Sequence, residues 1–165
     1  MPSQVLSTQV VAEQDLSAWI RFLRAHAAVT RQLSARLEAQ HGLTLSDYDV
    51  LVQLYYAPDR RLRRVDLARM VILTASGITR LLDGLERAGW VTKARCESDA
   101  RVTYAVLTDA GLAKFEQAQK MHRADIEELF GSRFSVEERG TLAELLGRLP
   151  LAETSPACTT EGESA

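Results

Sequence analysis

Cysteine is scarce in this chain: Cys96 and Cys158 are the only two. They form no CxxC pair, so neither a disulfide framework nor a zinc finger is expected, and a reducing compartment is. Histidine is nearly as sparse. His26, His41 and His122 stand far apart, without the spacing of metal ligands, so no metal site and no cofactor are expected. No run of about 18 apolar residues occurs, which excludes a predicted membrane-spanning helix. The first residues lack the basic-then-apolar pattern of a secretory signal, so the expected location is the cytoplasm, on the nucleoid. Glycine-rich phosphate loops, GxSxG and paired carboxylates in a predicted cleft are missing too, which argues against an enzyme.

What is present bounds the fold. A chain of 165 residues, 46% hydrophobic and 25% charged, supports one domain with extensions and a real core. Its net charge is −2, an unpromising value for a nucleic-acid binder. The distribution reverses that impression. Residues 60–101 hold ten arginines and lysines against five acids, a surplus of five that leaves a deficit of seven elsewhere. A basic middle between acidic flanks attracts phosphate on one side only.

Periodicity predicts mostly helix. Residues 1–12 read as a polar, mobile lead-in. Residues 15–40 read as one long helix, with Leu16, Leu23, Thr30 and Leu37 recurring every seven and Trp19, Phe22, His26, Val29 and Leu33 in a second stripe. Ser46-Asp47-Tyr48-Asp49 resembles a capping box that starts a helix ending before Pro58. A basic stretch, residues 60–64, leads to a short helix over 66–71. The helix over 74–88 follows, closed by Gly89. Residues 90–91 open one strand and residues 102–107 form a second, the two strands of a wing whose tip is the polar run between them. Thr108 caps a helix to about Phe130, and Ser135-Val136-Glu137-Glu138 is a capping box for a last helix reaching Leu149. The tail, residues 151–165, is polar and aperiodic, and is expected to be disordered.

The helix over 74–88 is the most informative segment. At 100° per residue, Thr79, Arg80, Asp83 and Arg87 fall within about 60° of Ser76, while Ile78, Leu81, Leu82 and Leu85 cluster opposite. One face is apolar and the other carries hydroxyl and guanidinium groups, the surface needed to enter a DNA groove while anchored to a small core.

At this point the chain resembles the multiple-antibiotic-resistance regulator (MarR-type) family of bacterial winged-helix repressors, over roughly residues 15–149. The resemblance is carried, in order and spacing, by Gly42-Leu43-Thr44-Leu45-Ser46, Asp66-Leu67-Ala68, Thr74-Ala75-Ser76-Gly77-Ile78-Thr79-Arg80-Leu81, Leu85-Glu86-Arg87-Ala88-Gly89-Trp90-Val91, Asp99-Ala100-Arg101 and Leu107-Thr108-Asp109-Ala110-Gly111. It implies a mainly α fold with a small β-wing: a winged helix-turn-helix over 46–108, flanked by dimerisation helices over 13–45 and 109–150. It also implies a homodimer, a recognition helix in the major groove, a wing arginine in the minor groove, and release by a small aromatic or phenolic compound or by an oxidant. Three positions depart from the family pattern. Val65 stands where a capping Ser or Thr is usual, Gly84 replaces a basic residue within the recognition helix, and Ala100 replaces an arginine of the wing.

The expected DNA contacts follow. Arg80 is the main base reader, with Thr74, Ser76 and Thr79 at bases or phosphates. Asp83 holds Arg80 or Arg87 across one turn. Arg101 enters a narrow minor groove, braced by Asp99; Arg63, Arg64, Lys93 and Arg95 face the backbone, and Arg87 is a further DNA-binding residue on the helix face. Leu16, Ile20, Leu23, Leu142, Leu145, Leu146 and Leu149 are the expected dimer residues. A ligand, if any, lies between the first helix and the winged domain, walled by Trp19, His26 and Tyr48; the competing reading places Trp19 and His26 in the dimer core. Two alternatives stay open for the chain as a whole: a winged-helix protein-docking module, and a redox-sensing regulator working through Cys96 beside Arg95 and Arg101.

Overall fold

Ala57 turns extended (ψ 148°) ahead of Pro58, as a residue before proline must, and this stops the second helix. The chain's punctuation of this kind sets the architecture of the computed structural model, which describes residues 13–71, 75–95 and 101–149. The order is α1 (Glu13–His41), α2 (Leu45–Tyr56), a 3-10 turn (Pro58–Arg60), β1 (Arg61–Arg63), α3 (Arg64–Met70), α4 (Ala75–Arg87), β2 (Val91–Arg95), β3 (Thr103–Leu107), α5 (Asp109–Leu129), a second 3-10 turn (Gly131–Arg133) and α6 (Val136–Leu146). This is a winged helix-turn-helix with a long helix before it and two helices after it.

The capping box of α2 lies two residues earlier than the one read at Ser46. Thr44 is the N-cap: its Oγ accepts from the Asp47 amide at 3.1 Å, and the Asp47 carboxylate accepts from the Thr44 amide at 2.8 Å. Ser46 is inside the helix. The short helix α3 likewise begins earlier than expected, at Arg64. Its N-cap is Arg63, with no side-chain cap, and Val65 is an exposed residue of the first turn rather than the capping position. The box at Ser135 and the cap at Thr108 are where the sequence puts them. The last helix ends at Leu146, short of Leu149.

The two strands of the predicted wing are present as a hairpin, and a third strand, β1, joins them in one sheet. β3 is central, with β2 on one side and β1 on the other, both antiparallel. Leu62 lies opposite Ala105, and the Arg61 guanidinium stands 5.3 Å from the Tyr104 ring centroid, a cation–π contact that covers the edge strand.

One core joins all of this. Leu43, Val50, Leu51 and Leu54 come from α2 and its entry; Leu67 comes from α3; Ile78, Leu82 and Leu85 from α4; Val91, Ala105 and Leu107 from the sheet; Leu37 from α1; Phe115 and Ala118 from α5. Each fully buried aliphatic or aromatic side chain stabilises by about 1.5–3 kcal/mol relative to exposure, so the apolar back of α4 is what fixes it to the domain. At its far end, Gly89 takes φ 77°, and the amides of Gly89 and Trp90 bond back to Glu86 and Leu85, which is the Schellman closure that glycine permits.

The start of α5 is joined to that closure. Thr108 donates its hydroxyl to the Gly89 carbonyl at 2.7 Å and its amide to the Trp90 carbonyl at 3.1 Å, while its Oγ accepts from the Gly111 amide at 3.0 Å. Gly111 packs directly on Trp90: a β-carbon there would lie 2.0 Å from the Trp90 carbonyl oxygen. Farther along, Arg36 of α1 reaches α5 in a fork. Its two Nη atoms meet the Glu128 carboxylate at 2.9 and 2.8 Å, and one also meets Asp125 at 2.7 Å. These bonds hold the guanidinium's pKa above its ordinary value, Glu128 contributing first and then Asp125, and they lower that of Glu128.

Candidate nucleic-acid interface

α4 presents the two faces that its sequence encodes. Ile78, Leu82 and Leu85 are no more than 3% exposed. Thr79, Arg80 and Arg87 are exposed, with Asp83 half-buried among them. Ser76 is the second residue of the helix; Thr74, Asp99, Ala100 and Cys96 lie outside the described residues.

Neighbouring elements hold this face in place by polar bonds. Arg64, the first residue of α3, donates from Nη2 to the Thr79 hydroxyl at 3.1 Å. Lys93 of β2 spans two acids of α4, 3.1 Å from Asp83 and 2.9 Å from Glu86. Arg87 donates its Nε to the Asp83 backbone carbonyl at 3.2 Å. The Asp83 carboxylate therefore engages the wing, whereas the sequence had it bracing Arg80 or Arg87. An i, i+4 partner is a local guess; a lysine ten residues on, brought back by the turn at Gly89, is not legible from spacing.

Arg63 and Arg64 meet Arg101 in a cleft shared with Val65, Val102 and Thr103. Arg63 is paired with Asp66 at 2.6 Å, an exposed pair of small energetic weight. Arg95 is exposed at the end of β2, opposite Thr103. The cations expected at phosphates thus come from β1, α3, α4 and β2, and two of them, Arg64 and Lys93, bond side chains of α4. Hydroxyls, guanidinium groups and flanking cations of this kind can bond base edges and neutralise phosphate.

The residues expected to wall a ligand are not gathered by one chain. Trp19, Phe22 and His26 form an aromatic row along α1, with successive ring centroids 6.1 and 6.3 Å apart. Tyr48 belongs to another cluster, 4.6 Å from the His122 ring and 5.7 Å from that of Phe115, and lines an open cleft with Leu45, Ser46, Asp49 and Val52. Burial raises the Asp49 carboxyl, against a hydrogen bond from Gln53 that lowers it. His122, which the sequence offers only as a scattered histidine, is buried with Nδ1 lacking a hydrogen-bond partner, and its pKa is lowered by burial. His41 is buried too, lowered by the same cause and by Lys114. Only the three-dimensional packing of α1 and α2 on α5 reveals these two buried histidines.

Known proteins carry the same design. The MarR family pattern matches residues 43–103. The chain is 31% identical over 158 residues to the uncharacterized HTH-type transcriptional regulator YdgJ of Bacillus subtilis, covering 90% of this chain and 94% of that protein. Among solved structures, it superposes on AbsC, a MarR family transcriptional regulator from Streptomyces coelicolor, with a TM-score of 0.78 and 29% identity over 84% of this chain and 93% of that one. Sco3205, a MarR family regulator from the same organism in complex with DNA, gives a TM-score of 0.78 at 26% identity, over 89% of this chain and 88% of that one. With the winged helix-turn-helix and the cations bonded to α4, these likenesses establish that the chain belongs to the MarR family and is a DNA-binding transcriptional regulator.

Proposed function

We propose that this regulator represses transcription by occupying a near-palindromic operator as a homodimer, and that a small aromatic compound releases it. The observation that carries the DNA reading is the exposed row of Thr79, Arg80 and Arg87 on a helix whose opposite side is locked in the core. In this reading Arg80 forks onto guanine, Thr74, Ser76 and Thr79 bond bases or phosphates, and Arg101 with Asp99 forms the minor-groove finger. Arg63, Arg64, Arg87 and Arg95 neutralise phosphates. Two copies on a two-fold axis set half-sites about one helical turn apart.

The outer helices support pairing. Leu16, Ile20 and Leu23 of α1 are each more than 40% exposed, and so are Leu145 and Leu149; Leu142 and Leu146 are half-buried. α6 has no buried residue in its own chain. An isolated helix of 11 residues is marginal in water, and a second copy would bury these faces. The ligand reading is supported by the Tyr48 cleft, where α2 meets α5, and by the aromatic row of α1, which a second chain can approach.

The test is selection of bound sequences from genomic fragments, followed by anisotropy titrations. Wild type enriches a two-fold motif, and Arg80→Ala loses affinity and preference together. Arg101→Ala weakens binding with less loss of preference. Arg80→Ala that binds as wild type does removes the base-reader assignment. Absence of duplex binding at low salt favours the protein-docking reading instead.

A further inference from the structure

We propose that Lys93 is a positioning residue of the DNA interface: it cancels the carboxylate at the centre of the reading face and ties the root of the wing to α4, and it does not itself grip phosphate. Asp83 lies within about 20° of Ser76 around the helix, so an uncompensated carboxylate there would face a polyanion. Lys93 answers it at 3.1 Å. Its second bond, 2.9 Å to Glu86 Oε2, has a different reason. Glu86 Oε1 is buried without a hydrogen-bond partner while the side chain is half-buried, and a partly desolvated carboxylate is stabilised by an opposite charge. For Lys93 to leave for a phosphate, it must give up two charge-assisted bonds and bare that carboxylate. The two acids also hold the Lys93 ammonium above its ordinary pKa, Glu86 first.

The same clamp sets a distance. Lys93 lies opposite Ala105, on the hairpin that leads toward Arg101. Fixing β2 to α4 therefore fixes the separation between the helix face and the wing. Lys93 in this role governs how both parts meet the duplex at once.

The experiment compares wild type, Lys93→Gln and Lys93→Gln/Asp83→Asn on one selected genomic fragment, by anisotropy across a salt series. Lys93 is exposed, so the core is untouched. If bared Glu86 lowers helix content in circular dichroism, the same comparison is made in a Glu86→Gln background. The expected result is about a ten-fold loss of affinity for Lys93→Gln at low salt, from a carboxylate left facing phosphate, with the slope of log affinity against log salt unchanged. Adding Asp83→Asn brings affinity back to within about three-fold of wild type. A phosphate contact predicts otherwise: the slope falls by about 0.9 in both variants and affinity does not recover. That result overturns the proposal, as does Lys93→Gln binding like wild type. The inference rests on the DNA-binding reading, and wild type keeps the two failures apart. If wild type binds no fragment, both readings fall; if it binds and the variants behave as a lost phosphate contact, only this one does.

Discussion

The same substitution should have opposite signs at two glycines of this chain. At Gly111 an added β-carbon would sit 2.0 Å from the Trp90 carbonyl oxygen, 2.8 Å from its carbon and 2.8 Å from Leu107 Cδ1. Comfortable C···O contacts begin at about 3.3 Å, so α5 and the turn before β2 must part by more than an ångström. Two of the three close atoms are backbone, and no rotamer change relieves them. Overpacking of this kind destabilises by about 1–3 kcal/mol. The amide bond from Thr108 to Trp90 lies in the same seam and its loss adds about 1 kcal/mol, giving about 2–4 kcal/mol for Gly111→Ala. At about 2–4 °C per kcal/mol for a chain of this size, the melting midpoint falls by roughly 4–16 °C. At Gly84 the added carbon meets nothing within 4 Å and the backbone is ordinary helix. Gly84→Ala should stabilise by about 0.5–1 kcal/mol through helix propensity and a less free unfolded chain. Urea unfolding at matched protein concentration measures both. Gly111→Ala within about 0.5 kcal/mol of wild type, or a destabilised Gly84→Ala, would refute the steric reasoning; the threshold is the ordinary scatter of surface substitutions.

Acid should destabilise the fold through its buried histidines. Burial lowers the pKa values of His122 and His41, so the native chain binds fewer protons than the unfolded one. Stability is then full above the unfolded value of about 6.5 and falls as pH drops below it, by up to about 1.4 kcal/mol per pH unit for each histidine; His122→Phe should flatten urea-derived stability between pH 6.5 and 5, and an unchanged slope would count against the assignment. Arg36→Lys keeps the charge but not the fork onto Glu128 and Asp125. Faster hydrogen exchange in the C-terminal half of α5 is expected, and unchanged protection would show that the fork is ornamental. Ile20→Glu with Leu145→Glu places charges on the exposed apolar faces. Sedimentation should show monomers and the operator titration a large loss, while a persisting dimer would move the pairing surface elsewhere.

Much of the winged helix was legible because its signals are local. The opposed faces of α4 need only the 3.6-residue period, and Gly89, Thr108 and Ser135 mark boundaries by chemistry that acts within one turn. The errors share a different origin. Thr44 and Ser46 both head a Thr/Ser-x-x-Asp pattern, and only the backbone settles which one caps. β1 is three residues long; it exists because it pairs with β3, more than 40 positions away, and its own sequence of arginines has no strand signal. At the candidate interface, residue types gave the two faces of α4, but the partners of Asp83 and Thr79 came from β2 and α3. Arg36 with Asp125 and Glu128, and His122 against Tyr48, are likewise products of helix packing, which no spacing rule anticipates.

The seam at Gly89, Thr108 and Gly111 has a mechanical consequence. The exit of α4, the entry to the hairpin and the foot of α5 are bolted together by two hydrogen bonds from Thr108 and a glycine with no slack. α5 extends about 31 Å from that joint, given its 21 residues, which is the length of a lever arm. If the joint moved as a rigid body, each ångström of sideways travel at the far end, where Arg36 of α1 holds Asp125 and Glu128, would turn the exposed face of α4 by about 2°.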